Sequence, residues 1–222
     1  MIITPKPQPD PVSKMHITDA YFRWALFAAE EVAGKHGLDI VLRDSGLSHL
    51  VDHYPEEVTA VSGKYTYEEY AQLSTGLLNF FGRGAKSMTL RIGRISTRKA
   101  IDQQSVLFGI AALLAAKLLP VPTKLKMGLD AQLNGFKKLS KEVGEEYIGY
   151  VEDRGDRFAL CIETCAMCAG KHADQPICFL YTGTLQESTT WLTGKQFDIQ
   201  EVECRALGAK ACVWEILKAP KE

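Results

Sequence analysis

The hydrophobic pattern of this chain changes its period once, near Glu146, and this change limits the folds that the chain can adopt. Before Glu146, apolar residues recur at helical spacing, whereas after it short apolar runs alternate as they do in strands. The predicted elements are helices first, followed by three strands, one helix and two strands. Such an order favours an α+β fold, in which an N-terminal helical layer packs on a small antiparallel sheet.

The helices are predicted from their caps and their breaks. Thr18 and Thr66 are good N-cap residues, and each precedes apolar residues at helical spacing. A short amphipathic piece is predicted over 38–50, and longer helices over 86–118, with a break near Gly93, and over 125–141. Glycines and prolines are expected to end these elements: Gly34 and Gly37, Gly82 and Gly84, Pro120 and Pro122.

The strands are predicted in the last third of the chain. Residues 153–156 form a turn signal between strands 147–152 and 157–162. A short strand is expected over 178–182, followed by a helix over 185–192 that Gly194 closes. Two more strands, 197–204 and 211–217, flank a turn centred on Gly208.

The length of 222 residues suits one domain. We predict a Pro-rich extended segment over 1–15 and a single domain over 16–222, with a mainly helical part over 16–145 and a β-rich part over 146–218. The chain has 26 Lys and Arg against 27 Asp and Glu, so it lacks the basic excess that is typical of dedicated nucleic-acid binders. Direct binding of nucleic acid is therefore not expected.

The N-terminal residues lack the apolar run that a signal peptide needs. The longest apolar run, 106–119, is interrupted by Lys117 and is too short to cross a bilayer. The expectation is a cytoplasmic protein without a membrane span. In that compartment six cysteines indicate metal or redox chemistry before structural disulfides.

All six cysteines lie in the last third of the chain: Cys161, Cys165, Cys168, Cys178, Cys204 and Cys212. Cys204 and Cys212 stand four residues to either side of Gly208, so a hairpin centred there makes them cross-strand neighbours with Cβ atoms about 5 Å apart. This separation allows two thiolates to share a zinc ion, and after a small adjustment it also allows a disulfide.

Glu201 is a candidate ligand beside these cysteines. The apolar positions change from odd to even numbers between Ile199 and Val202, and a β-bulge there explains the change. Such a bulge places Glu201 and Cys204 on one side of the strand. The alternative is that Glu201 is an ordinary solvated carboxylate.

Cys165-x-x-Cys168 has a second spacing that is typical of metal sites. This pair is compatible with the same site, with a second site and with a redox pair. An iron–sulfur cluster is a more distant alternative, since no complete spacing for one is present. Buried cysteines can also be simple small hydrophobes.

Three features of residues 176–216 carry a family resemblance. They are Pro176-Ile177-Cys178, a turn and helix with Gly183, and Glu201-x-x-Cys204-x-x-x-Gly208-x-x-x-Cys212. With these features the chain resembles the 4-vinyl reductase domain family. The resemblance is good from residue 146 to the C-terminus and extends more loosely back to about residue 65.

The resemblance implies a fold related to palmitate-binding vesicle-tethering subunits and to haem-based nitric-oxide sensors. In the family's phenol sensors, one Cys, one Glu and two further Cys hold a structural zinc ion beside the ligand pocket. By motif position these ligands are Cys178, Glu201, Cys204 and Cys212, with Cys165 and Cys168 as alternates. The family also implies a homodimer.

The resemblance further implies a protein that binds a hydrophobic or aromatic small molecule in a sensory or carrier role. The chain has no room for the ATPase and DNA-binding modules of the phenol sensors, and no catalytic signature such as a P-loop is visible. Binding is therefore favoured over catalysis. The alternatives are an accessory or vinyl reductase-like role in tetrapyrrole (bacteriochlorophyll) biosynthesis and a cysteine-based redox sensor.

The candidate ligand-binding residues are aromatic side chains for the walls of a pocket and two arginines for an acidic group. They are Tyr67, Tyr70, Phe80, Phe81, Phe108, Trp191, Arg91 and Arg94. The more ordinary interpretation is core packing for the apolar side chains and a solvated helix face for the arginines.

Overall fold

The computed structural model describes residues 1–104 and 119–221. Five α-helices lie in this part of the chain: α1 (Asp19–Asp44), α2 (Tyr67–Phe81), α3 (Ala85–Gln104), α4 (Val121–Glu142) and α5 (Phe179–Thr193). The segment 105–118, most of the apolar run with Phe108, lies outside the described residues.

Two antiparallel sheets accompany the helices. The short strands β1 (Ile3–Pro5) and β4 (Lys171–Ala173) form one sheet. The other sheet has four strands in the order β2-β3-β6-β5: β2 (Gly149–Asp153), β3 (Arg157–Ile162), β5 (Phe197–Glu203) and β6 (Cys212–Pro220). The α+β fold predicted from the period change is confirmed, as are the hairpin of β2 with β3 and the pairing of β5 with β6.

Both predicted N-caps are present, and one is complete. The Thr66 hydroxyl accepts a hydrogen bond from the Glu69 backbone N–H, and the Glu69 carboxylate accepts one from the Thr66 backbone N–H. This capping box satisfies two of the backbone donors that a helix start leaves free. Thr18 stands at the N-cap of α1, where its side chain makes no cap hydrogen bond.

Three predicted boundaries are wrong. Helix α1 does not end at Gly34 but bends there, with a φ of 74°, and continues through Gly37 to Asp44. Helix α3 is continuous through Gly93. Residues 178–182 form no strand, because Cys178 is the N-cap of α5 and that helix begins at Phe179. In each case packing against neighbouring elements overrides the local sequence preference.

The four-stranded sheet covers the main core with one face. Phe158, Leu160 and Ile162 of β3 point into the core among the helices, whereas Ala159 and Cys161 belong to a small separate cluster on the opposite face. Helix α5 packs against α3, α4 and β5. The described part of the chain contains no helix with both the length and the apolar character that crossing a membrane requires.

Helices α3 and α5 cross at two glycines. A Cβ atom on Gly93 would overlap the carbonyl oxygen of Leu180, and a Cβ atom on Gly183 would overlap the carbonyl oxygen of Leu90. The two backbones therefore touch directly, and no other residue type allows this approach. The predicted helix break at Gly93 is thus a contact point, which fixes the position of α5 and of Cys178 at its start.

The first prediction concerns this crossing. Gly183→Ala should destabilise the protein by about 2 to 3 kcal/mol, because the added methyl group forces two backbones apart. The control is Gly135→Ala in α4, where a Cβ atom meets nothing within 4 Å. This control should gain about 1 kcal/mol from the better helix propensity of alanine. Urea unfolding of both variants measures the effect, and equal stabilities would contradict the close crossing.

Candidate metal centre and adjoining cavities

Five cysteines that are far apart in sequence lie together in the structure. Cys165 and Cys168 flank a short turn between β3 and β4, Cys178 caps α5, Cys204 follows β5 and Cys212 begins β6. All five are buried and none forms a disulfide. These five residues are called the cysteine cluster below.

The sulfur atoms lie close enough to share a metal ion. Cys178 Sγ is 3.8 Å from the Sγ atoms of both Cys204 and Cys212, and 3.9 Å from Cys165 Sγ. Cys168 Sγ lies 3.4 Å from Cys212 Sγ. Four sulfurs bound tetrahedrally to zinc at about 2.3 Å lie about 3.8 Å from one another. Most of these distances therefore match the edges of a zinc–thiolate tetrahedron.

Two overlapping sets of four donors have this geometry. In each set the ligand atoms all lie within 4.8 Å of one another. The first set is Cys178, Glu201, Cys204 and Cys212, the four residues that the family motif implies. The second set is Cys165, Cys168, Cys178 and Cys212.

Glu201 enters the first set through a β-bulge. The register of β5 against β6 shifts between Glu201 and Glu203, slightly later than predicted, so that Val202 is exposed while Glu201 and Cys204 are buried. Glu201 Oε2 accepts a hydrogen bond from the Cys178 backbone N–H at 3.0 Å. The other oxygen, Oε1, is buried and has no hydrogen-bond partner within the described residues. That free oxygen is available to a cation.

Burial governs the ionisation of these groups. Burial, followed by the neighbouring Cys204, raises the pKa of the Glu201 carboxyl to about 10. Burial also raises the pKa of Cys178 and Cys212 well above that of a free thiol. It opposes ionisation of Cys165 too, but hydrogen bonds from neighbouring thiols lower the pKa of Cys165 well below its usual range. A bound cation would favour the ionised form of every ligand.

The surroundings of the cluster supply positive electrostatic potential and fixed positions. The N-terminus of α5 meets the cluster at Cys178, where the helix dipole favours a thiolate. The Arg205 backbone N–H donates to Cys212 Sγ at 3.3 Å. Thr182 Oγ1 donates to the Cys178 carbonyl oxygen and accepts from Trp214 Nε1, which ties α5 to β6.

Asp10 joins the N-terminal segment to two loops of the cluster. Its carboxylate accepts hydrogen bonds from the Arg205 guanidinium at 2.8 Å, the Gly170 backbone N–H at 3.1 Å and Lys6 Nζ at 3.0 Å. Burial opposes ionisation of Asp10, but these hydrogen bonds, with that of Arg205 the strongest, hold the pKa of this carboxyl well below its usual range. The Pro-rich segment is therefore packed onto the domain and braces the loops that carry Cys168 and Cys204.

Cys161 is the one cysteine outside the cluster. It is buried on the opposite face of the sheet, among Ala159, Ala211 and Val213. The two ligand sets do not include it. It matches the simple interpretation of a small buried hydrophobe.

Two small cavities adjoin the cluster on the helical side and share Tyr21. The larger, about 70 Å³, lies among α1, α3, α4 and α5, and its lining includes Leu125, Leu129, Thr184 and Trp191. The smaller, about 40 Å³, reaches the cysteine cluster at Cys165. Four tyrosines line the smaller cavity: Tyr21, Tyr67, Tyr147 and Tyr181.

Several tyrosine hydroxyls in this region are buried without partners. The hydroxyl oxygens of Tyr21, Tyr70 and Tyr181 make no hydrogen bond to any described residue. Burial raises the pKa of Tyr21 to about 12 and that of Tyr181 well above 10, so both remain protonated donors at neutral pH. Unsatisfied buried hydroxyls cost about 1 to 3 kcal/mol each, so groups of them mark places where a further molecule is expected to bind.

The other predicted ligand-binding residues occupy different environments. Tyr67 and Trp191 line the smaller and the larger cavity. Tyr70 is fully buried against Tyr21 and Phe22. The remaining described ones line neither cavity: Phe80, Phe81, Arg91 and Arg94.

The two arginines lie on α3. Arg91 is exposed, and Arg94 donates to the Gln186 side chain of α5 at 2.8 Å. Both therefore lie on the outside of the helical layer, away from the two cavities.

Sequence reasoning missed Tyr147 and Tyr181 at the cavity and Asp10 and Arg205 beside the cluster. Tyr181 was hidden by the wrong assignment of residues 178–182 to a strand, because only a helix turns this side chain toward the smaller cavity. Asp10 gives no local signal, since its partners are 160 and 195 residues away.

Comparison with known proteins identifies the C-terminal part of the chain and the fold. Residues 158–218 match the family model of the 4-vinyl reductase domain, which confirms the resemblance seen in the motifs. No curated protein matches the chain.

The chain is similar to solved H-NOX structures over almost all of its length. One, described as probing the function of heme distortion in the H-NOX family, has a TM-score of 0.56 and 11% identity and covers 93% of this chain and 97% of its own. An H-NOX protein from S. oneidensis in the Fe(II)NO ligation state gives 0.52 and 13%, with 90% and 99% covered. Fe(II) unliganded H-NOX from K. algicida gives 0.53 and 14%, with 92% and 98% covered. At these identities the similarity concerns the fold.

The second prediction concerns Asp10. Asp10→Ala should lower the free energy of unfolding by about 3 kcal/mol at neutral pH, because it leaves the buried Arg205 guanidinium unpaired. The pKa of Asp10 is depressed in the folded state, so its contribution is present above the ordinary value of 3.8 and is lost as the pH falls below it. Chemical unfolding of both proteins between pH 7 and about pH 3 measures this convergence.

Asp198→Asn is the matched control, because Asp198 is an exposed carboxylate in a surface ion pair with Lys221. Its stability should be almost that of the unmodified protein. A difference between Asp10→Ala and the unmodified protein that stays constant down to about pH 3 would contradict the role given to the Asp10 carboxylate.

Proposed function

From the match of residues 158–218 to the 4-vinyl reductase domain and from the H-NOX-like fold, we propose that the protein is a binding module for a hydrophobic or aromatic small molecule. A zinc ion held by Cys178, Glu201, Cys204 and Cys212 supports the module structurally. The role is sensory or carrier, in the cytoplasm, where thiols stay reduced.

The observation that carries this proposal is the set of unpartnered tyrosine hydroxyls around the two cavities. Tyr181 lines the smaller cavity with a buried hydroxyl that has no partner among the described residues, and Tyr21 does the same at the boundary of both cavities. The walls are otherwise mainly apolar, with Leu125, Leu129 and Phe136 among them. A ligand with an apolar body and one oxygen acceptor satisfies both features.

The size of the cavities limits the ligand. A cavity of about 150 Å³ holds benzene in an engineered protein, and the cavities here measure about 70 and 40 Å³. Tyr21 lines both, so a rotation of its side chain would join the two spaces. The proposed ligand is therefore a compact molecule, on the scale of a single aromatic ring.

The haem of the H-NOX proteins does not fit the described cavities. The larger cavity is far too small for a porphyrin, and its described lining has no His, Cys or Met to bind iron. His16 lines the smaller cavity, but its Nδ1 hydrogen bonds with Glu145. The proposal therefore includes no haem.

The zinc site supports the binding module through α5. Cys178 caps this helix and Tyr181 lies one turn further on, so an ion bound at Cys178 fixes the helix that forms one wall of both cavities. The donor set fits zinc, which is commonly bound by thiolates together with a carboxylate or imidazole. Binding energy of the ion contributes directly to folding.

The third prediction tests the zinc. Cys204→Ser should lower both the zinc content and the melting temperature, because one of four ligands is lost. Cys161→Ser is the matched control, a buried cysteine outside the cluster, and it should keep the zinc content unchanged. Metal analysis and thermal unfolding of the reduced proteins provide the measurements. A zinc-free protein with unaltered stability in both variants would overturn the structural role.

The fourth prediction tests the ligand. Acetophenone, which carries an oxygen acceptor, should raise the melting temperature more than ethylbenzene, its hydrocarbon analogue. Tyr181→Phe should abolish this difference by removing one donor. Tyr150→Phe, on an exposed tyrosine of β2, should keep it.

Three results would speak against the proposed ligand site. Equal melting temperatures with and without both compounds would overturn it, as would an unchanged difference in Tyr181→Phe. Native mass spectrometry and absorbance spectra of the purified protein add a third test. A co-purifying coloured tetrapyrrole would favour the biosynthetic alternative instead.

A further inference from the structure

The proposed zinc site leaves two thiols of the cysteine cluster without a role. Cys165 and Cys168 are 3% and 0% exposed and lie against the same sulfurs that the zinc would use. A single ion binds four donors and leaves these two thiols buried beside a negatively charged complex. The geometry of the whole cluster offers another arrangement.

We propose that the cysteine cluster and Glu201 bind two thiophilic divalent cations, with Cys178 and Cys212 as bridging ligands. The proposal extends the zinc site on which the proposed function relies. One cation is held by Cys178, Glu201, Cys204 and Cys212, and the other by Cys165, Cys168, Cys178 and Cys212.

The first argument is geometric. The two donor sets each satisfy the same limit of 4.8 Å, and they share two residues, Cys178 and Cys212. The shared sulfurs lie 3.8 Å apart, which is the length of one edge of a zinc–thiolate tetrahedron. Two tetrahedra with this edge in common therefore use every donor, and each ion has four ligands.

The second argument is that the terminal donors come from two separate segments of the chain. Cys165 and Cys168 approach the shared edge from the turn between β3 and β4, while Glu201 and Cys204 approach it from the end of β5. An ion on one side of the shared edge contacts only one of these two segments. Two ions are needed to contact both.

The third argument concerns the unpartnered oxygen of Glu201. Oε2 is occupied by the Cys178 backbone N–H, and Oε1 is buried with no partner among the described residues. Five thiolates and one carboxylate carry a charge of −6, which two divalent cations reduce to −2. All six donors are then ligands, and no buried thiol remains protonated beside a thiolate.

The sequence spacing agrees with this division. The second set draws on the Cys165-x-x-Cys168 pair, whose spacing is typical of metal sites. The turn between the two residues is short and packed, because α2 lies against Ala166–Cys168. The pair is therefore held in place before any ion binds.

The experiment measures how many metal ions the full chain binds. The protein is purified under reducing, oxygen-free conditions, saturated with zinc and examined by metal analysis and native mass spectrometry, and cobalt titration follows the thiolate-to-metal absorption. The unmodified chain should bind two ions. Cys165→Ser combined with Cys168→Ser should bind one, and Cys161→Ser should still bind two.

Each outcome decides the question. One ion in the unmodified chain overturns the second site and leaves the proposed zinc site intact, whereas no ion overturns both. Iron with inorganic sulfide, or a Cys165–Cys168 disulfide detected by mass, also overturns the second site. If the double variant does not fold, as judged by circular dichroism, the count of ions in the unmodified chain still gives the answer.

Discussion

The removal of water from six potential ligands in one place is the constraint on which this structure depends. Five thiols and one carboxyl group lie together in the interior, where an uncompensated charge is costly. The fold compensates with the N-terminus of α5, a backbone N–H on Cys212 and the Glu201 contact to Cys178. A cation completes this compensation, which is why we interpret the cluster as a metal centre.

The same helix connects the cluster with the cavities. Gly93 and Gly183 bring α3 and α5 into backbone contact, and this crossing fixes the position of α5. Cys178 at its start faces the cluster, while Tyr181, one turn later, lines the smaller cavity. Binding of a metal and binding of a small molecule therefore act on one element, and each can change the stability of the other site.

The N-terminal segment has a larger part in the structure than its composition suggests. Asp10 connects it with Gly170 and Arg205, so a proline-rich stretch becomes the clamp of two cysteine-bearing loops. Such a contact spans almost the whole chain and has no local signature. By contrast, the capping box of Thr66 with Glu69 lies within four consecutive residues, and the sequence predicted that helix start.

The sequence by itself determined the α+β class, the hairpin of β2 and β3, and the cysteines and Glu201 as candidate ligands, because periodicity and spacing are local properties. Only the tertiary structure decided that Cys165 and Cys168 join the others while Cys161 does not, and that Tyr181 lines a cavity. These facts depend on which face of a strand or helix meets the core. A shift of one residue, such as the bulge after Glu201, reverses that outcome without leaving a clear mark in the sequence.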